Sequence, residues 1–287
     1  MNAQALRSAL PAADDTAPRT REGDSRDATL VPVPQQALLQ VDGLTLEYVT
    51  GERVVRATHR VSFDVHRAER FVLLGASGCG KSSLLKAVAG FLPPREGEIR
   101  LEGAAVREPG LDRIVVFQEF DQLPPWKTVL ANVMFPLVTG RKLPKAEARD
   151  RALDALRKVG LADFAHEYPH QLSGGMKQRV AIARALAMQP KVLLMDEPFA
   201  SLDALTRRRM QEELLALWEE VRFTLLFVTH SIEEALVLGH RIVVLSPRPG
   251  RVRAELNAHQ FGLHSVGGAD FQAQAHRIHD LLFHETP

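Results

Sequence analysis

Two stretches of this sequence carry residue types that act on phosphate. Gly75-Ala76-Ser77-Gly78-Cys79-Gly80-Lys81-Ser82 fits the pattern G-x-x-x-x-G-K-[ST]. It follows the apolar run Phe71–Leu74 and precedes a helical run, Ser83–Phe91, which is the context the pattern requires. Its glycines let the backbone fold tightly, so successive N–H groups point at one anion, and the helix start adds a favourable field. Lys81 offers a point charge to outer phosphates, and the Ser82 hydroxyl can ligate Mg2+. Cys79 reads as a small loop residue, not a catalytic thiol. Alone, the loop says only nucleotide binding, which kinases, GTPases and many motors share. The second stretch, Lys191–Pro198, is an apolar strand ending on Asp196 and Glu197. Ending a buried strand on carboxylates is costly unless they face a site. Open α/β sheets bind ligands beyond the carboxyl ends of their strands. Asp196 can then hold Mg2+, directly or through water. Glu197 can orient and deprotonate a water aimed at a terminal phosphate.

A third stretch, Leu172-Ser173-Gly174-Gly175-Met176-Lys177-Gln178-Arg179, opens the helical run Met176–Ala187, so its Ser and Gly amides form another anion-facing helix end. Together with the two stretches above, it resembles the signature of ABC (ATP-binding cassette) ATPases. The resemblance covers about residues 38–252 and implies ATP and Mg2+ as ligands. It implies ATP contacts from Gly75, Ser77, Gly78, Cys79, Gly80, Lys81, Ser82 and Ser83, and metal contacts from Ser82, Gln118 and Asp196. Two phosphate-facing helix ends far apart in sequence suggest two chains. The family's arrangement is a head-to-tail homodimer, with each ATP between one chain's phosphate loop and the other chain's Ser173, Gly174 and Gly175. Tyr48, 27 residues before Gly75, stands where the family places an aromatic that stacks on adenine; an ordinary strand tyrosine is the other reading. Gln118 resembles the glutamine near Mg2+ and the attacking water. Ser201-Leu202-Asp203 resembles the loop that meets the opposite subunit. His230, 33 residues after Glu197, resembles the switch histidine at the γ-phosphate. The implied catalytic set is therefore Glu197, His230 and Gln118.

Within the superfamily, Pro125-Trp126-Lys127-Thr128-Val129 and Ser246-Pro247-Arg248-Pro249-Gly250-Arg251 look like the nitrate/sulfonate/taurine importer ATPases. Gln122-Leu123-Pro124-Pro125 departs slightly from that group's usual Leu-Leu-Pro. The resemblance implies an ATP-hydrolysing subunit that powers uptake of a small anion or sulfonate-like solute. Its partners would be integral membrane permease subunits, gripped beside Gln118, and indirectly a substrate-binding protein. Its place would be peripheral, on the cytoplasmic face of the inner membrane. A competing reading is a soluble ABC ATPase acting on ribosomes or DNA. Such proteins usually carry two cassettes or long coiled-coil or zinc inserts, whereas this chain has one signature and one cysteine. A non-hydrolysing cassette is disfavoured because Glu197 and His230 are both present.

These residues need a scaffold. The chain has 287 residues, enough for a full core, with 36 Lys+Arg against 35 Asp+Glu. That near-neutral balance argues against nucleic-acid binding through bulk charge and leaves only a local basic patch as a route; no nucleic-acid partner is expected. The longest uncharged runs, such as Ala28–Val41, stop at 14 residues, too short to span a bilayer. Leu39, Val41, Leu44, Leu46 and Tyr48, then Val61, Phe63 and Val65, near-alternate like strands of a half-exposed antiparallel sheet. Phe71–Leu74, Val192–Met195, Leu225–Val228 and Ile242–Leu245 are continuous apolar runs, as in strands buried on both faces. Helical stretches between them predict a parallel sheet with crossover helices. The expected fold class is α/β: a P-loop ABC ATPase cassette with a mainly parallel core sheet, an antiparallel β subdomain and a helical insert. Three segments are expected: a disordered tail (1–36), the ATPase domain (37–252, insert about 120–185) and a C-terminal extension (253–287). In the insert, Pro144 begins a helix with Leu153, Leu156 and Val159 on one face, and Gly160 caps it. In the extension, Asp270–His284 puts Phe271, Ala275, Ile278 and Leu282 on the inner face of a closing helix. His276, His279 and His284 read as surface histidines, not metal ligands.

Overall fold

The four continuous apolar runs form strands for the reason their composition predicts: each has two faces to bury. In the computed structural model, which describes residues 37–50, 53–118 and 122–283, they are β3 (Arg70–Leu74), β7 (Val192–Asp196), β8 (Thr224–Thr229) and β9 (Arg241–Leu245). The tail 1–36 and His284 lie outside the described residues. These strands belong to a six-stranded sheet in the order β10-β9-β3-β8-β7-β6, completed by β6 (Arg113–Val116) and β10 (Val252–Asn257). Strands β9, β3, β8, β7 and β6 run parallel, and β10 closes one edge antiparallel.

Period-two alternation sends neighbouring residues to opposite cores. Phe71, Leu73, Val192, Leu194, Leu226, Val228, Val243 and Leu245 pack with α1 (Lys81–Val88) and with the inner face of a second sheet. Val72, Leu74, Leu193, Met195, Leu225, Phe227, Ile242 and Val244 pack against the helices of the other side. Each such fully buried side chain contributes roughly 1.5–3 kcal/mol of transfer free energy. The sheet is thus covered on both faces, as parallel sheets require.

The second sheet is antiparallel, in the order β2-β1-β4-β5: β1 is Leu39–Thr50, β2 Arg53–Val65, β4 Glu96–Leu101 and β5 Ala104–Ala105. Leu39, Val41, Leu44 and Leu46 bury the inner face of β1, as the alternation predicts.

Between 120 and 185 the regular elements among the described residues are all helical. They are α2 (Val129–Thr139), α3 (Lys145–Lys158), two short 3-10 turns and α4 (Gly174–Ala187). Pro144 is the N-cap of α3, and Gly160, at φ +66°, takes the left-handed conformation that closes it. The buried face of α3 is mostly alanine, Ala148, Ala152 and Ala155 with Leu156, while Leu153 is only half-buried. Helix α1 begins two residues earlier and ends three earlier than Ser83–Phe91, because Gly90 at φ +85° turns the chain away. Helices α5 (Ala204–Val221) and α6 (Ile232–Leu238) make the crossovers β7–β8 and β8–β9. The closing helix is α7 (Ala269–Phe283), with Phe271, Ile278 and Leu282 inward. Among the described residues no helix is long and apolar enough to cross a membrane.

Candidate nucleotide site

The parallel strands deliver the chemistry at their carboxyl ends, in a row. Read along the sheet edge, β3 leads into Gly75, β8 into His230, β7 ends at Asp196 and Glu197, and β6 leads toward Gln118. The register sets Leu74 opposite Thr229, Asp196 opposite Val228, and Val116 opposite Met195. Residues far apart in sequence therefore stand one strand spacing from one another, roughly 4.8 Å.

The loop from Gly75 to Gly80 ends in the N-cap of α1. Gly78 and Gly80 have φ of +77° and +107°, which a side chain would strain. Gly80 also has no room for one, because a Cβ there would lie 2.7 Å from the Ala57 carbonyl oxygen. Ser77 and Gly78 are exposed at the loop tip. The Cys79 side chain points into the core, where burial pushes its thiol pKa up, so the residue can offer a ligand only its backbone. The inert thiol read from the sequence agrees with this placement.

Lys81 is 3% exposed, and its ammonium lies 2.8 Å from Gly75 O, 3.1 Å from Ala76 O and 3.4 Å from Glu197 Oε1. Ser82 Oγ donates to Asp196 Oδ1 at 2.9 Å. Burial raises the Asp196 pKa, the Ser82 hydrogen bond partly offsets that, and the adjacent Glu197 charge raises it further. The desolvated Asp196 carboxylate, the Ser82 hydroxyl and the adjacent acid Glu197 form an oxygen donor set that suits a hard divalent cation. Glu197 adopts φ +45°, uncommon for a residue with a side chain, and its N–H donates to Val228 O at 3.0 Å. Its second carboxylate oxygen lies 2.7 Å from His230 Nδ1. Glu197 is thus gripped between the loop lysine and the histidine of the neighbouring strand end.

Tyr48 reaches the same neighbourhood: its hydroxyl donates to Ser83 Oγ at 3.0 Å, and its ring is partly exposed beside α1. Gln118 is exposed, two residues past β6. Ser173 caps α4, accepting from Met176 N–H at 3.3 Å, and Asp203 caps α5, accepting from Leu205 and Thr206 N–H. These two backbone donors hold the Asp203 carboxyl below its ordinary range, Thr206 most. The two caps are neighbours, since a Cβ on Gly175 would lie 3.1 Å from Thr206 Cγ2. Among the described residues, no hydrogen bond or ion pair joins Ser173, Gly174, Gly175 or Asp203 to residues 75–82. Gly75, Gly78, Lys81, Ser82, Asp196, Glu197, His230, Tyr48 and Ser83 are brought together within one chain; the signature is a separate helix end.

Two positioning residues escaped sequence reasoning. Asn132, buried within the apolar run of α2, holds its amide nitrogen 3.0–3.2 Å from the carbonyls of Pro124, Lys127 and Thr128. It thereby pins the turn that presents Trp126, which is 75% exposed. Arg184 of α4 donates to the Gln122 carbonyl at 2.7 Å and to Gln122 Oε1 at 3.2 Å, and Gln122 donates to Phe117 O at 3.0 Å. That chain ties the segment around Gln118 to the helix Ser173 begins. The signal for Asn132 was a lone amide inside an apolar helix; Arg184 carried none.

Comparison with known proteins identifies the family. The family model described as ABC transporter matches residues 58–200. A taurine import ATP-binding protein of Rhizobium johnstonii is 56% identical over 206 residues, 71% of this chain and 78% of that protein. A bicarbonate transport ATP-binding protein of Synechocystis sp. is 44% identical over 225 residues, 77% of this chain and 79% of that protein. Among solved structures, a dimeric ATP-binding cassette in a post-hydrolysis state bound to ADP and Pi is 34% identical. It superposes with a TM-score of 0.67, over 77% of this chain and 98% of that one. With the phosphate loop, the acid pair and the histidine assembled at the strand ends, this chain belongs to the ABC transporter family as an ATP-binding, ATP-hydrolysing importer subunit.

Proposed function

We propose that two copies of this chain close head-to-tail over two ATP molecules and drive a membrane permease that imports a small anion or sulfonate-like solute. The observation that carries the reading is Glu197, fixed between Lys81 and His230 at the end of β7, beside the phosphate loop. The loop amides and Lys81 take the β- and γ-phosphates, Lys81 exchanging its carbonyl partners for phosphate oxygens. Ser82 and Asp196 would hold Mg2+, with Gln118 as a further proposed ligand; when bound, the ion would neutralise charge on the phosphates. Glu197 accepts the proton of the attacking water, and His230, hydrogen-bonded to that carboxylate, faces the γ-phosphate. Tyr48 gives the adenine a ring edge or face beside α1. Ser173, Gly174 and Gly175 of the second copy complete the site on its open side, with Asp203 alongside. The separation of the signature helix from the loop within one chain supports that arrangement, as does the dimeric relative.

ATP favours the closed dimer because its γ-phosphate is held by both copies, so binding shifts the population and hydrolysis releases it. The helical region moves with Gln118 through the Gln122–Arg184 tie. Trp126 and Phe135, both exposed there, offer apolar contacts to permease helices. The chain would sit peripherally on the cytoplasmic face of the inner membrane, the permease recruiting a substrate-binding protein. Relatives named for taurine and for bicarbonate support a small anion or sulfonate-like solute and leave its choice to those partners. Residues 37–252 are the proposed ATPase domain and 1–36 a tail; the boundary at 252 is corrected by the structure, because β10 (Val252–Asn257) is a strand of the core sheet and Phe271, Ile278 and Leu282 of α7 join the same core. The test is to tag the chain in its native cell, solubilise membranes gently and identify what copurifies. A polytopic permease is expected. Recovery with ribosomes or DNA in the soluble fraction would overturn the transport reading.

A further inference from the structure

The β9–β10 hairpin turns through Ser246–Arg251 and reaches the phosphate loop from its outer side. Its shape is closed internally. Ser246 N–H donates to Arg251 O at 2.9 Å, Arg251 N–H donates to Ser246 Oγ at 3.0 Å, and Ser246 Oγ lies 3.2 Å from Pro249 O. The buried Gly250 at its tip then joins β2: its N–H donates to Ala57 O at 2.9 Å, and its carbonyl accepts from His59 N–H at 2.9 Å. A Cβ at Gly250 would lie only 2.2 Å from Cys79 O, inside the phosphate loop. On the same strip of β2, a Cβ at Gly80 would lie 2.7 Å from Ala57 O. At Gly250 the hairpin therefore meets the loop and β2 backbone to backbone, while at Gly80 the Thr58 side chain also closes in, its Cγ2 2.6 Å from where a Cβ would lie.

We propose that the Ser246–Arg251 hairpin is a strut that sets the phosphate loop against β2, with Gly250 as a positioning residue for the phosphates of ATP. The inference rests on the reading of residues 75–82 as the nucleotide site. The Cys79 carbonyl and the Gly80 N–H belong to one rigid peptide plane. Displacing that oxygen swings that N–H, one of the donors that define the anion cradle. The strut also fixes the base side. It is bonded to β2, whose Val55 pairs with Tyr48 of β1, so phosphate loop and base platform keep one separation.

A methyl group at Gly250 must push Cys79 O by about 1 Å to regain ordinary contact. Losing one hydrogen bond to a charged group such as phosphate weakens binding by about ten- to a hundredfold. The experiment uses the full-length chain and four variants: Gly250→Ala, Ser246→Ala, Arg248→Ala and Lys81→Ala. ATP Kd, ATPase kinetics and the Tm without nucleotide are measured. Gly250→Ala is expected to raise the ATP Kd and KM at least tenfold, while kcat at saturation stays within about threefold and the unliganded Tm within a few degrees. Ser246→Ala, which loosens the hairpin without a clash, is expected to raise Kd about threefold. Arg248→Ala, an exposed side chain, is expected to leave Kd unchanged. A folded Gly250→Ala with Kd within twofold of the parent overturns the strut. So does an Arg248→Ala effect as large as that of Gly250→Ala, because the hairpin would then act through charge. If Gly250→Ala does not fold, Ser246→Ala decides, and an unchanged Kd there overturns the proposal. Lys81→Ala with full ATP affinity would instead overturn the nucleotide site itself.

Discussion

Glu197→Gln isolates basicity from shape. The amide is the same size as the carboxylate it replaces and still presents one acceptor oxygen. The side chain is 16% exposed and wedged between the Lys81 ammonium at 3.4 Å and His230 Nδ1 at 2.7 Å, so it has little freedom to move. The substitution removes one negative charge and one proton acceptor and little else. A positioned general base contributes about 10²–10⁴-fold, equivalent to roughly 2.7–5.5 kcal/mol of barrier. Binding should move the other way: without the anion beside it, Lys81 gives its charge more fully to phosphate. The expected variant hydrolyses ATP at least a hundredfold more slowly, binds ATP as tightly or more tightly, and accumulates as an ATP-loaded dimer. Phosphate release at saturating ATP and size-exclusion chromatography with ATP and Mg2+ measure both. A kcat within fivefold of the parent would refute the base assignment. A tenfold loss of ATP affinity would refute the account of Lys81.

Ser173→Arg places a long cation where the second copy's phosphates would approach; ATP binding to the monomer is expected to persist while nucleotide-dependent dimerisation disappears, read by light scattering. Asn132→Ala leaves three buried or half-buried carbonyls with no side-chain donor and is expected to cost about 1–3 kcal/mol. Denaturant unfolding measures that cost, and a wild-type midpoint would show that water replaces the amide. Burial, with the Arg70, His259 and Arg222 charges, lowers the His240 pKa to about 3. The unfolded chain then binds the proton more readily, so this histidine removes stability as pH falls from about 6.5 toward 3. His240→Phe is expected to show a shallower acid-side decline in Tm between pH 7.5 and 5; parallel curves would refute the linkage.

What was legible in the sequence is what local chemistry dictates. Phe71–Leu74 and Val192–Met195 read as buried strands because both faces are covered, and each ends on residues that only a site would tolerate. Elements with a weaker local signature stayed hidden. β4 buries only Ile99 and Leu101 well among charged neighbours, β6 has four residues, and α2 contains Pro136. Pro136 has no N–H to give the Asn132 carbonyl, but its own carbonyl still accepts from Gly140 and Arg141, so the helix continues to Thr139. In the sequence Gly250 is only part of a stretch that resembles the importer ATPases; its contact is with a carbonyl 171 positions earlier in the chain, which no local pattern encodes.

The strand order also dictates when the site can come into being. β3 and β7 never touch; β8 is inserted between them. During synthesis, the phosphate loop and both acids emerge before Thr224, yet they lack the strand that brings them together. Lys81 and Glu197 meet only after β8 has threaded between two strands already made, a late, non-local pairing of the kind that slows folding. Nucleotide affinity should therefore arise abruptly on the nascent chain, once residue 229 has cleared the exit tunnel, and not grow as each motif appears.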